Sequence, residues 1–220
     1  MANILITGSN RGIGLELVRT FLTRGDRVFA TCRQASEALR GSGATVIEGI
    51  DIGDDGVVER LRRAMEGVAL DVVVCNAGVL TAESVGSLDW DAVRRQFEVN
   101  TLGPLRTVEA LLPNLGSGAK VAIITSRMGS IEDNTSGGMY GYRISKSAVN
   151  SAGRSLAHDL RARGVAVQLL HPGFVRTEMT GGNGMIEPAE SAQGLVRCID
   201  ELALEASGTF RHMNGEMLPW

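Results

Sequence analysis

The sequence predicts one α/β domain, a doubly wound parallel β-sheet with helices on both faces. Three observations carry this. Short runs rich in β-branched residues alternate with longer segments of helical period. The runs are apolar throughout rather than at every second residue, as strands covered on both faces must be. Glycine stands at 28 of 220 positions, well above the usual share of about 7%, so many tight turns or close backbone approaches are expected.

The expected strands are Ile4 to Thr7, Arg27 to Thr31, Thr45 to Glu48, Asp71 to Cys75, Val121 to Thr125 and Val165 to His171. Between them lie helical patterns at Ile13 to Arg24, Asp54 to Met65, Leu88 to Val99, Thr101 to Leu112, Tyr142 to Arg163 and Pro188 to Leu204. The longest starts at Tyr142, with Ile144, Ala148, Val149, Ala152, Leu156 and Leu160 as its expected buried stripe. Gly-rich pieces at Ser130 to Gly141 and Gly181 to Gly184 read as loops after strands, where open α/β sheets bind ligands. No repeat or linker divides the chain, and its length suits one core.

Charge and cysteine usage narrow the partners. With 22 basic and 25 acidic residues the net charge is −3 and no long basic run exists, so nucleic-acid and anionic-membrane binding lack support. No apolar run reaches membrane-spanning length, and the opening Met1 to Ile6 lacks a cationic leader. Cys32, Cys75 and Cys198 are odd in number and lack ligand spacing, which fits a reducing compartment; a cytoplasmic protein is expected. His158, His171 and His212 show no metal pattern.

The first strand runs directly into Thr7-Gly8-Ser9-Asn10-Arg11-Gly12-Ile13-Gly14 and then a helix. Glycines there let backbone approach a pyrophosphate, whose charge meets the helix N-terminus. Dinucleotide folds that prefer NAD(H) place a carboxylate at the end of the second strand; here stands Ala30-Thr31-Cys32-Arg33. Arg33, with Arg11 as a second cation, suits a 2′-phosphate, so NADP(H) is the expected coenzyme and NAD(H) the second candidate.

Tyrosine and lysine each occur only twice, yet Tyr142 lies four residues before Lys146. Chance would give that spacing about 0.02 times, and one helical turn puts both on one face. An ammonium there is expected to draw the phenol's pKa toward neutrality, as an acid catalyst requires.

With these motifs in view, the chain resembles the classical short-chain dehydrogenases/reductases along essentially its whole length. The glycine loop matches their T-G-x-x-x-G-x-G, and Cys75-Asn76-Ala77-Gly78 their N-A-G segment. Asn100 matches the helix asparagine, Ser126 the strand-end serine, Tyr142 to Lys146 the Y-x-x-x-K, and Pro172 to Thr177 the P-G-x-x-x-T. Thr31-Cys32-Arg33 and the ending Asn214 to Trp220 are similar to the short subgroup of C-factor signalling proteins and sniffer-type carbonyl reductases.

The resemblance implies a Rossmann-type domain over residues 1–220 that moves hydride between a nicotinamide and a small carbonyl or alcohol. By resemblance Tyr142 is the general acid/base, Lys146 holds the nicotinamide ribose, Ser126 bonds the reacting oxygen, and Asn100 holds a relay water. Asp51 and Ile52 would meet adenine, Asn76, Ala77 and Gly78 a ribose, and Val175 and Thr177 the carboxamide, with Pro172 and Gly173 also binding the coenzyme. Asn100 could instead cap the helix from Thr101, and Asp51 could form a turn. Ser130 competes with Ser126, since the segment to Tyr142 is about three residues longer than in typical members. The resemblance implies a homodimer or homotetramer built by packing the helices from Thr101 and Tyr142 against partner copies; Ala148, Ser151, Ala152 and Ser155 would permit close approach, or could equally pack inside one subunit. The rival reading is a nucleotide-binding signal protein of C-factor type; a methyltransferase leaves the Tyr-Lys pair unexplained, and an epimerase needs a larger C-terminal region.

Overall fold

The computed structural model describes residues 1–220. Seven parallel strands form one sheet: β1 (Asn3–Thr7), β2 (Arg27–Thr31), β3 (Thr45–Ile47), β4 (Leu70–Cys75), β5 (Leu115–Ile124), β6 (Ala166–His171) and β7 (Thr209–His212). Their order is β3-β2-β1-β4-β5-β6-β7, so the winding reverses between β1 and β4. The helices are α1 (Gly12–Thr23), α2 (Glu37–Arg40), α3 (Val57–Ala64), α4 (Trp90–Phe97), α5 (Gly103–Leu111), α6 (Tyr140–Asp159) and α7 (Pro188–Glu201).

Alternate strand residues feed two cores. Ile4, Ile6, Val72, Val74, Ala122 and Ile124 pack with Leu17, Phe21 of α1 and Leu195, Ile199 of α7. On the opposite face Leu5, Val73, Cys75, Val121 and Ile123 meet Leu61 of α3 and Val108, Leu111 of α5. Each Ile, Leu, Val or Phe among them contributes about 1.5–3 kcal/mol when fully buried, and burial on both faces is why the strands read as unbroken apolar runs.

Several expectations need correction. β7 was not expected: Thr209-Phe210-Arg211-His212 is a short edge strand with one fully apolar member, Phe210, which is buried. The two helices expected to meet at Asn100 are continuous through a π-helical turn, Glu98–Leu102. β5 starts at Leu115, ahead of Val121, because Gly116-Ser117-Gly118 join the strand without apolar side chains. The helix that carries Tyr142 starts two residues early, after Met139 in the left-handed region (φ 52°), a conformation usually left to glycine.

The expected buried stripe of α6 holds at Val149 and Leu160, with Ala148, Ala152 and Leu156 half-buried, but fails at Ile144. Tyr142, Ser145, Lys146, Val149, Asn150, Gly153 and Ala157 face inward, whereas Ile144 is exposed. The polar members of the inner face leave less apolar periodicity than the outward Ile144 suggests.

Candidate active site

The reversal of winding between β1 and β4 opens a crevice at the carboxyl ends of the strands, the place such sheets bind ligands. A cleft of about 810 Å³ occupies it. Its walls include Gly8, Asn10, Arg11, Gly12, Ile13 and Gly14, then Arg33, Asp51, Ile52, Asn76, Ala77, Gly78, Tyr142, Lys146, Pro172 and Thr177. Ser9, Asn100, Ser126, Gly173 and Val175 are not part of its lining. Ser9 is fully buried and donates to the Ile6 carbonyl, so its side chain supports the loop from beneath.

The glycine loop is drawn against the β4 end. At Gly8 (φ 67°) a Cβ would lie 2.7 Å from the Ala77 Cα, so no side chain fits. Thr7 Oγ1 accepts from the Asn76 and Ala77 amides at 3.1 and 3.2 Å, and Asn76 Nδ2 donates to the Thr7 and Gly8 carbonyls at 3.0 and 3.1 Å. The bare backbone at the start of α1 is thereby held open to an anion. Asn10 ties the loop to Ser36 through the Ser36 amide, while the Ser36 hydroxyl donates to the Asn10 carbonyl at 2.9 Å.

Three arginines of the cleft wall are in different states. Arg33 lines the cleft and forms no ion pair. Arg95, which sequence reasoning missed, pairs with Asp51 at 3.0 Å. Asp51 also accepts the Gly53 amide at 2.9 Å, so it forms a turn as well as lining the cleft. Burial works against the Asp51 carboxylate, but the Gly53 amide and Arg95 outweigh it and leave the pKa below normal. Arg11 reaches across the cleft to Glu178 at 2.8 Å, both ends exposed. Such a pair is worth about 0–1 kcal/mol and yields readily to a stronger anion.

At the inner end Tyr142 and Lys146 are both buried, 8% and 4% exposed. Lys146 Nζ lies 5.7 Å from the centre of the Tyr142 ring and donates to the Ile124 carbonyl at 2.9 Å. Ser126 is near enough to weigh on the phenol, although no hydrogen bond of normal geometry joins the two hydroxyls. Ser130 instead donates to the Trp220 carbonyl at 3.1 Å and accepts from the Asp133 amide at 3.0 Å, which commits it to the loop.

The expected downward shift of the phenol is not present. Burial pushes Tyr142 up to about 12, with Ser126 opposing, because withdrawal from water penalises phenolate more than this arrangement of donors compensates. Burial likewise brings Lys146 down to about 8. His171, at the end of β6, is pushed down to about 3 by burial and then by His212, Arg127 and Lys146, so it stays neutral.

Asn100 does not cap the following helix. The π-helical turn aims its Oδ1 at the Val79 amide (2.8 Å) and its Nδ2 at the Val79 carbonyl (2.8 Å) and Ser145 Oγ (3.0 Å). A Cβ on Gly78 would lie 3.2 Å from Asn100 Oδ1 and 3.8 Å from Lys146 Nζ, so glycine keeps the space between those two groups clear.

A strand-end glycine loop, a dinucleotide-sized crevice and a buried Tyr-Lys turn at its inner end define a nucleotide-dependent oxidoreductase. The chain matches the short chain dehydrogenase family over residues 2–185, and it belongs to that family. It is 48% identical, over all of both chains, to a 1-hydroxy-2-glutathionyl-2-methyl-3-butene dehydrogenase of Rhodococcus sp. (strain AD45). It is 46% identical to C-signal of Myxococcus xanthus, across 69% of this chain and 93% of that protein. Among solved structures, the carbonyl reductase Sniffer of D. melanogaster superposes with TM-score 0.89 at 31% identity, covering all of both chains. An NADPH-bound carbonyl reductase from chicken fatty liver gives 0.89 at 26% identity, covering 100% of this chain and 99% of that one. The protein is therefore a short-chain dehydrogenase/reductase with carbonyl reductases as neighbours. No helix is long and apolar enough to cross a membrane.

Proposed function

We propose that the protein is an NADP(H)-dependent carbonyl reductase or alcohol dehydrogenase with Tyr142 as its general acid/base. The observation that carries this is the buried Tyr142 phenol beside Ser126 and Lys146, at the inner end of the dinucleotide-sized cleft. The close-packed Gly8 turn and the unpaired Arg33 fit the two ends of such a coenzyme. Arg33 and Arg11 would hold a 2′-phosphate, which favours NADP(H) over NAD(H). Asp51 and Ile52 would flank adenine, Asn76 to Gly78 a ribose, and Pro172, Gly173, Val175 and Thr177 the carboxamide side. When bound, the coenzyme supplies or accepts the hydride.

The chain's own groups then handle the oxygen. Ser126 donates a hydrogen bond to the carbonyl oxygen, and Tyr142 hands its proton to that oxygen as negative charge develops. A phenol held above its ordinary pKa keeps its proton until then. Lys146 holds ribose hydroxyls and carries the countercharge that lets phenolate exist. The Gly78 gap between Lys146 and Asn100 gives protons a route back.

On the substrate side Phe174, Met179 and Met185 are exposed on a short loop, leaving room for a bulky molecule. The likeness to a dehydrogenase of a glutathionyl-bearing alcohol favours a primary alcohol with a large thioether substituent. The test is oxidation of NADPH against a panel of aliphatic and aromatic aldehydes and ketones, with a glutathione-conjugated alcohol and NADP⁺ in reverse. Turnover with one class is expected, and none with any would remove the reading.

A second reading, a nucleotide-binding signal protein, is favoured by the 46% identity to C-signal. It predicts that a variant without turnover keeps its biological effect. We also propose a homodimer or homotetramer formed through α6, where Ile144 is exposed and Ser151 and Ser155 permit close approach. Light scattering at micromolar concentration should give a multiple of 23.3 kDa, and a monomer mass contradicts it. The three buried free cysteines fit a cytoplasmic location.

A further inference from the structure

The segment from Val79 to Leu88 runs over the surface between β4 and α4. From Thr81 to Ser87 every residue is exposed except Glu83, whose side chain turns inward and is 5% exposed. A carboxylate is costly to bury unless its oxygens are satisfied, and no cation pairs with this one.

Its oxygens are satisfied by neutral donors from three segments. Oε1 accepts Gln96 Nε2 of α4 at 2.7 Å and the Thr81 hydroxyl. Oε2 accepts the Gly141 amide of α6 at 3.1 Å, and the Glu83 backbone carbonyl accepts the Met139 amide at 2.8 Å. Gln96 is itself fully buried and accepts the Thr81 amide at 3.0 Å, closing the cluster.

The placement corresponds to a missing helix cap. The residue at the N-cap of α6, Met139, has a left-handed backbone and makes no side-chain cap. Glu83 supplies the acceptor instead from a distant part of the chain, and its charge sits at the positive end of the helix. The approach is tight: a Cβ on Gly141 would lie 2.3 Å from Gln96 Nε2 and 3.1 Å from the Val93 Cα. Tyr142 is the next residue. Lys146 lies on the same helix as Gly141, Asn100 on the π-helical turn that continues α4, and Asn76 to Gly78 immediately before the segment.

We infer that Glu83 is a positioning residue, whose carboxylate fixes the first turn of α6 on α4 so that the Tyr142 hydroxyl is aimed at Ser126. This deepens the proposed function and rests on Tyr142 being the acid. A misplacement of about 1 Å at a reacting group costs up to about 100-fold in rate, so holding one backbone amide is enough to matter.

The test compares Glu83→Ala, Glu83→Asp and Glu83→Gln with the wild type and Tyr142→Phe, in full-length protein, by steady-state kinetics with NADPH and the best aldehyde. Glu83→Ala and Glu83→Asp should lower kcat about 10- to 100-fold while KM for NADPH stays within about threefold, since the coenzyme cleft is untouched. Glu83→Gln keeps the reach and one acceptor oxygen for the Gly141 amide but turns its NH2 toward Gln96 and Thr81, so kcat should fall less than in Glu83→Asp, by about 2- to 10-fold. Should Glu83→Ala fail to fold, Glu83→Asp decides, because it keeps the charge but not the reach to Gly141. Wild-type kcat in Glu83→Asp, or an equal rise in KM for NADPH, overturns the inference, as does failure of both variants to fold. If Tyr142→Phe stays active, the acid assignment has failed and this inference goes with it. If Tyr142→Phe is inactive while the Glu83 variants turn over normally, only the positioning role is lost.

Discussion

Tyr142→Phe should reduce kcat by about 10²- to 10⁴-fold, the usual contribution of a positioned proton donor, while NADPH binds as before. The substitution removes one oxygen and keeps the ring, so the buried contact with Lys146, whose Nζ sits 5.7 Å from the ring centre, is retained. Initial rates measure the first half of this expectation and quenching of protein fluorescence by NADPH the second. A pH series adds a signed expectation. Lys146, brought down to about 8 by burial, loses its charge as pH climbs through that value. Tyr142, pushed up to about 12, is still protonated there. Carbonyl reduction in the wild type should therefore be level below about pH 8 and decline above it through loss of the Lys146 charge rather than of the phenol proton. Turnover by Tyr142→Phe within a few-fold of wild type would show that the proton comes from elsewhere.

Arg33→Asp carries the second large effect. Arg33 lines the cleft with no carboxylate partner, so its charge is available to a ligand. Hydrogen bonds to a charged group are worth about 1.5–3 kcal/mol, and the new carboxylate would also repel a 2′-phosphate. KM for NADPH is expected to rise at least about 100-fold, with KM for NADH unchanged or lower, because aspartate can accept a ribose 2′-hydroxyl. Equal losses for both coenzymes would contradict the 2′-phosphate contact. Arg11 is the weaker partner, since it must first leave Glu178, 2.8 Å away.

What the sequence revealed follows from what leaves a periodic or spaced trace. The central strands were legible because both their faces are buried, as Leu5 and Ile6 show by entering opposite cores. β7 was not, since four residues at a sheet edge with one apolar anchor look like a loop. The glycine loop, Arg33, Asn76 to Gly78, Tyr142 and Lys146 sit at fixed intervals and converge on one cleft. Residues that act by folding back across the chain gave no signal. Arg95 meets Asp51 from 44 positions away, and Glu83 meets Gly141 from 58. Nor did the order of residues reveal the phenol's environment. Four-residue spacing places Lys146 beside Tyr142, but only the packed structure shows that its ammonium gives one hydrogen bond to the Ile124 carbonyl and that burial dominates the phenol. The start of α6 was missed for a related reason, as Met139 holds a left-handed backbone that sequence assigns to glycine, with Glu83 securing it from outside the helix.

The most direct measurement follows an isotope. NADPH carrying deuterium at the transferable nicotinamide position is incubated with the protein and an accepted aldehyde, and the alcohol is analysed by mass spectrometry. Transfer of one deuterium to the carbinol carbon by the wild type, with no labelled alcohol above background from Tyr142→Phe, is the predicted result. Labelled alcohol formed equally by both proteins, or NADPH consumed without any label reaching the alcohol, would contradict the account.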